Sequence, residues 1–401
     1  MKVLFVTREY PPFEVGGVAV HTLNLIKNLE KIGVSCKVLS FGDPSLSNDQ
    51  VIFTKPSSSI INKSGSSATM DSMIPLDIIR ITKIANTWIK REPFDIVHVE
   101  EPYVGAFVRH KRKVTTIHDT SYGEIKSLLR YDPNFPILKR LAFYLSMGFF
   151  FEIMCAASSS LIIAPSEQVK KELLNAYGVS KKKINVIRNG VDLPDFESNA
   201  KLLAKNKLGL SPDKILIFTG SQHIARKRLD VLIKAVSLLQ KQQVDYTVVI
   251  AGDGPLRAHL IDQARKLGLQ GIIQFPGWVS QSTLNLYHQA TDIFVLTSEY
   301  EAGPISLLEA MSFGNVAVSS IIGGFPSLMM NNVDGLLFPV GNYHYLSKCL
   351  GLLIGDTKLR MRLSASARRF AEIFDWGSVA EDTKRCYESL CFLHPNGSRK
   401  D

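Results

Sequence analysis

The chain has 401 residues, 45% hydrophobic and 21% charged, which is enough for two domains of ordinary size with full cores. Its apolar runs fall short of the ~18 residues of a membrane span, MKVLFVTREYPP is too short an apolar start for a signal peptide, and Cys36, Cys155, Cys349, Cys386 and Cys391 show no metal-like spacing, so they read as reduced thiols of a cytoplasmic protein. The net charge of +10 sits mostly in residues 1–190, with 25 Lys and Arg against 17 Asp and Glu. That suits an anionic membrane surface or a phosphate-bearing acceptor, whereas no aromatic-basic recognition element points to nucleic acid.

KVLFVT (2–7) opens the chain as a strand. Gly16 and Gly17 follow REYPPFEV and precede an amphipathic helix from about Val18, ended by Gly33; a glycine pair there lets backbone approach a bound group closely. The pair is not G-x-G-x-x-G, so a dinucleotide fingerprint is absent. CKVLSF (36–41) is a strand, and residues 43–75, rich in Ser, Asn and Pro, read as a loop. DIVHVE (95–100), KVTTIHD (113–119), SLIIAPS (160–166) and INVIRNG (184–190) are further strands. His118 and Asp119 end one of them, where parallel strands line ligand crevices. His98 is either an acceptor-side residue or a packed core histidine. The segment 136–157, with Phe143, Tyr144, Phe149, Phe150 and Phe151 beside Lys139 and Arg140, reads as a buried domain helix, with a bilayer interface as the alternative.

The second half repeats the alternation with KILIFTG (214–220), YTVVIAG (246–252), IIQFPG (272–277), DIFVLTS (292–298) and NVAVSS (315–320). Apolar strands separated by helices argue for parallel sheets covered on both faces. Arg226, Lys227 and Arg228 lie in the loop after the first of these strands and can neutralise an anionic group such as phosphate. SEYEAGPISLLEAMSFG (298–314) follows a buried strand. Pro304 opens a helix, Gly314 closes it, Glu301 lies at the turn and Glu309 about two turns into the helix. A helix N-terminus there suits a phosphate.

This last stretch closely resembles the signature of retaining, nucleotide-sugar-dependent glycosyltransferases of family four, and the resemblance runs along almost the whole chain. It implies an α/β fold of two Rossmann-like domains facing across a cleft (GT-B). Residues 1–190 would form an acceptor-binding domain onto which a helix of 376–395 packs back, and 191–375 the donor-binding domain. It implies sugar transfer with retention from a nucleotide-diphosphate sugar, UDP first and GDP next, to a hydroxyl of a glycan or lipid-linked acceptor. No cofactor and no metal are expected, because the nucleotide sugar is itself a substrate. The enzyme would lie in the cytoplasm, in peripheral contact with the inner membrane face.

By the same resemblance His118, Glu301 and Lys227 carry the chemistry. Gly16, Gly17, Arg226, Gly277, Val279, Gly303, Pro304, Ile305 and Glu309 touch the donor, Glu301 on the sugar hydroxyls and Glu309 on the ribose. His98 and Asp119 face the acceptor. Two features depart from the family pattern. Ser221 and Gln222 stand where the family carries an arginine, and Ala302 stands where glycine usually follows the first Glu. A non-catalytic sugar-nucleotide scaffold of a glycan assembly complex, or an epimerase on the same fold, is the alternative. Gly323 and Gly324 resemble the family's GG-x-P segment.

Overall fold

The structure is a computed structural model that describes residues 1–13, 16–56, 75–129, 141–195, 199–239, 245–322 and 329–393. The Gly323–Gly324 segment, Lys139 and Arg140 lie outside the described residues. The chain divides into two compact units, residues 1–190 with 376–401, and residues 191–375.

The first unit is built on a seven-stranded sheet. Its strands are β1 (Lys2–Val6), β2 (Ser35–Phe41), β3 (Val51–Thr54), β4 (Ile96–Val99), β5 (Lys113–Thr116), β6 (Leu161–Ala164) and β7 (Ile184–Val186), in the order β3-β2-β1-β4-β5-β6-β7. Every pairing is parallel. The second unit has β8 (Ile215–Gly220), β9 (Tyr246–Ala251), β10 (Ile273–Gly277), β11 (Ile293–Leu296), β12 (Val316–Ser320) and β13 (Gly335–Phe338), ordered β10-β9-β8-β11-β12-β13 and again wholly parallel. Parallel strands need covered crossovers, which is why the central strands are mostly Val, Ile, Leu and Phe with both faces buried, interrupted in β4 by the buried His98.

In both sheets the strand order reverses direction once, between β1 and β4 and between β8 and β11. Connections leave to opposite sides at such a point, opening a crevice at the carboxyl ends of the two strands. The residues that follow β1 and β4, and those that follow β8 and β11, are therefore where the fold offers each unit a crevice.

Helices form where the apolar period requires them. Gly17–Lys31 buries Ala19, Thr22, Leu25, Ile26 and Leu29 along one face, and Gly33 leaves it at φ +81°, a left-handed conformation that glycine adopts without strain. Helix Trp376–Leu393 packs against it, and Trp376, Val379, Tyr387 and Leu390 complete a core with Val3, Phe5, Leu25 and Ile96.

Three sequence expectations need correction. The stretch 43–75 is not all loop, because Val51–Thr54 pairs with β2 as an edge strand. A second edge strand, β13, has no counterpart among the strands read from the sequence. The apolar helix Phe149–Ser158 buries only one face. Phe151, Glu152 and Cys155 point inward, while Phe150, Ile153 and Met154 are exposed.

Candidate active site

The second unit gathers its charged residues at the ends of β8 and β11. The loop after β8 carries Arg226, Lys227 and Arg228 to the turn after β11, and backbone contacts join the two. Glu299 N–H donates to Arg226 O at 2.8 Å, and Thr297 Oγ1 donates to Lys227 O at 2.6 Å. Arg228 takes a left-handed conformation, φ +47°, and is held by Asp230 at 3.1 Å and Glu299 at 3.6 Å.

Within this frame Glu301 is buried and gripped from three sides. Lys227 Nζ donates to its Oε1 at 2.5 Å, Ser298 Oγ donates to the same oxygen at 2.6 Å, and Arg226 Nη1 lies 3.5 Å from Oε2. Burial opposes its charge, but Lys227 and Arg226 outweigh that and hold the carboxyl below its usual range. Arg226 thus stands beside Lys227, although no arginine follows the strand glycine. The sequence gives Glu301 and Lys227 separate tasks, whereas the structure makes them one ion pair. Ser298 is the residue sequence reasoning missed, and its only trace is its place three residues before Glu301.

The turn through Gly303 leads to helix Ile305–Ser312, with Pro304 at the N-cap position. Glu309 is its fifth residue, little more than one turn in rather than two. Burial, then the charge of Asp192, push its carboxyl up to about 7. His288 lies 3.9 Å away. Gly277, at φ +82°, ends β10 and accepts from Gly252 N–H at 2.8 Å. Val279 packs against the unit's core.

In the first unit Gly16 caps helix Gly17–Lys31 with extended backbone, φ −170°, which any residue adopts; the pair is not required by conformation. At the ends of β4 and β5, His118, His21 and His98 surround Glu100. Burial lowers all three histidines to about 4, so they are neutral near pH 7. His98 corrects an expectation: it is fully buried, with Nδ1 2.5 Å from Tyr387 Oη and Nε2 2.7 Å from Thr116 Oγ1, so it supports the site and touches no acceptor. Asp119 is partly exposed at the same strand end, where Thr120 caps helix Ser121–Leu128. Glu152 accepts from Ser121 N–H at 3.0 Å and from Tyr103 Oη at 3.2 Å, fixing that helix start. Glu100 and His21 were missed because they lie on other elements, and nothing local marks them. His21, Glu100 and His118 offer three donor atoms within 4.8 Å of one another, the set among the described residues that could hold a metal ion.

Comparison with known proteins identifies the family. The model of Glycosyltransferase Family 4 matches residues 15–194, and that of Glycosyl transferases group 1 matches residues 201–370. An uncharacterized glycosyltransferase of Methanocaldococcus jannaschii is 25% identical over 405 residues, covering 97% of this chain and 98% of that protein. A D-inositol 3-phosphate glycosyltransferase of Jonesia denitrificans is 28% identical over 245 residues, 57% of each chain. Among solved structures, Anabaena HepE in complex with UDP-glucose superposes with a TM-score of 0.74 at 20% identity, covering 97% of this chain and 100% of that one. The two family models between them span both units, and with the doubled parallel-sheet fold they show that this chain belongs to the group 1 glycosyltransferases of family four, with the GT-B fold.

Proposed function

We propose that the protein transfers a hexose from a nucleotide-diphosphate sugar, UDP-linked first and GDP-linked next, to a hydroxyl of a glycan or lipid-linked acceptor, with retention at the anomeric carbon. The observation that carries this is the Lys227–Arg226–Glu301 cluster at the carboxyl ends of β8 and β11, beside the start of helix Ile305–Ser312. Two cations and a helix N-terminus form a site for the two phosphates, and preorganised charge of this kind stabilises a leaving diphosphate. As the bond from C1 to the diphosphate breaks, a bond from the acceptor oxygen forms on the same face. The acceptor proton passes to the departing phosphate. In this reading the protein's own cations supply the counter-charge, with no metal, and Glu301 orients sugar hydroxyls while Glu309 meets the ribose. The first unit takes the acceptor. The likeness to a structure holding UDP-glucose supports a UDP-sugar donor.

A membrane-side acceptor is supported by the first unit's surface. In helices Pro75–Arg91 and Phe149–Ser158 the acids Asp77 and Glu152 are buried; the first helix exposes Leu76, Ile79, Arg80, Lys83, Lys90 and Arg91, the second exposes Phe150, Ile153 and Met154, and Ile78 and Phe151 share one core cluster. Exposed apolar side chains on one helix and exposed cations on the other suit the surface of an anionic bilayer. Against the expectation that the apolar runs fall short of a membrane span, helix 141–158 is long and apolar enough to cross one by length and composition, but its inward face packs into the unit, so it lies on the surface in this reading.

The test is a transfer assay with UDP-, GDP- and ADP-sugars against lipid-phosphate and glycan acceptors, with anomeric configuration read by NMR. Transfer with retention, lost in Lys227→Ala, supports the reading. Nucleotide-sugar binding without turnover on any acceptor favours the scaffold alternative, which the missing arginine near Ser221 suggests and the position of Arg226 beside Glu301 opposes.

A further inference from the structure

The buried carboxylate at the end of β4 has no part in the reaction as described so far. Glu100 is fully buried, and its backbone N–H donates to Val6 O at 3.0 Å across the switch point between β1 and β4. Among the described residues no lysine or arginine pairs with its side chain. Three imidazoles face it instead: His118 Nε2 3.0 Å from Oε2, His21 Nε2 3.7 Å from the same oxygen, and His98 Nε2 3.7 Å from Oε1. A buried carboxylate is tolerated only when it receives hydrogen bonds.

Only one of the three imidazoles is placed to give one. His98 spends Nδ1 on Tyr387 and Nε2 on Thr116. His21 is too far from the carboxylate, and its ring packs edge-on against those of His118 and Trp376, at 4.7 and 5.4 Å between centroids. His118 Nε2 is at hydrogen-bond distance, and the carboxylate can only accept, so Nε2 carries the proton. Burial keeps the ring neutral, which leaves a single ring proton. Nδ1 then bears a lone pair. His118 is also the one ring of the three that reaches solvent appreciably, with 14% of its side chain exposed against 5% for His21 and none for His98.

We infer that Glu100 is the positioning residue for His118: it holds the imidazole in its Nε2–H tautomer and so presents Nδ1 as an acceptor to a substrate hydroxyl. This rests on the sugar-transfer reading and deepens it by fixing the direction of a hydrogen bond, with substrate donating and protein accepting. His21 is the packing wall that keeps the His118 ring from turning over. Second partners of this kind matter because a ring in the wrong tautomer offers a proton where a lone pair is needed.

The experiment uses the full chain labelled with [15N]histidine. Multiple-bond proton–nitrogen NMR reads the tautomer of each ring, with His118 assigned through His118→Asn. The expected result is Nε2–H with a bare Nδ1 from pH 6 to 8. Glu100→Gln, of equal size, can offer an N–H in place of the carboxylate and turns the ring to Nδ1–H or a mixture. With the nucleotide sugar the wild type uses, kcat then falls roughly 10²–10³-fold with donor KM little changed. Glu100→Asp, if its carboxylate reaches the ring, restores both tautomer and part of kcat.

An Nδ1–H or doubly protonated His118 in the wild type overturns the inference, as does unchanged kcat in Glu100→Gln. Stoichiometric binding of added zinc by the folded wild type, lost in Glu100→Gln, also overturns it by making His21, Glu100 and His118 a metal site. The NMR readout needs no turnover, so a wild type that transfers no sugar counts against the functional reading, while the tautomer is decided separately.

Discussion

The strand ends at and beside the two switch points share an architecture and differ in electrostatics. At the ends of β8 and β11, one carboxylate is held by two cations and a hydroxyl, and the ion pairs are close. At the ends of β4 and β5, one carboxylate is surrounded by three neutral imidazoles. The same fold feature thus presents fixed positive charge in one unit and neutral hydrogen-bonding rings in the other. That difference suits the proposed transfer, whose leaving group would be a diphosphate and whose nucleophile an uncharged hydroxyl. It also explains why the second unit's site is easier to find in a sequence, since clustered charge leaves a mark and neutral packing does not.

The sharpest way to break the comparison is to remove the charge from the second unit. Lys227→Ala is expected to lower kcat/KM by roughly 10²–10³-fold, measured by steady-state transfer, because a preorganised counter-charge is lost. An effect below tenfold would show that the Glu301 ion pair is structural. Next comes the first unit's surface. Replacing Phe150 and Ile153 by Glu is expected to weaken binding to vesicles containing anionic lipid by about tenfold or more in a flotation assay, leaving soluble-acceptor transfer intact. Equal binding would remove the membrane from the account. Arg226→Ala is expected to cost about tenfold in kcat/KM, and more than that if Arg226 replaces the missing arginine outright. A change confined to KM would limit it to donor binding.

The smallest expected effect concerns pH. Glu309 is raised to about 7, so the folded state takes up a proton that the unfolded chain does not hold between about pH 4.5 and 7. Its contribution to stability is fully present below the ordinary carboxylate range and is lost as pH rises through about 7. Glu309→Gln should therefore raise Tm by roughly 3–6 °C at pH 8 and by little at pH 5, read by scanning calorimetry. If the ribose requires the ionised carboxylate, nucleotide affinity in the wild type rises from pH 6 to 8 and is flat in the variant.

Much of the frame was legible from local pattern. The strand, turn and helix around residues 292–314 announce themselves through a run of β-branched residues, Pro304, an apolar period and Gly314, and all of that information lies within one segment. Strands β3 and β13 did not. Each has four residues, lies at a sheet edge, and is defined by pairing with β2 or β12 rather than by its own composition. The site divides the same way. Lys227 and Glu301 could each be found, but their ion pair spans 74 positions. The cluster around Glu100 joins residues on a helix and two strands, where spacing along the chain says nothing of distance. Helix 141–158 is apolar on both faces, so the period that normally assigns an inside and an outside was missing.

One feature of the first unit bears on how the protein is made. Helix Trp376–Leu393 supplies Trp376 and Tyr387 to the core that also holds Val3 and Phe5, and the buried Tyr387 hydroxyl meets His98 behind the histidine cluster. During synthesis the first seven strands leave the ribosome well before this helix, and the whole of residues 191–375 intervenes. The second unit can finish as a contiguous insertion, while the first waits with an open hydrophobic seam for its final helix. Nascent chains arrested near residue 375 should therefore expose that seam to chaperones, and the first unit's core closes only after the second unit has been made.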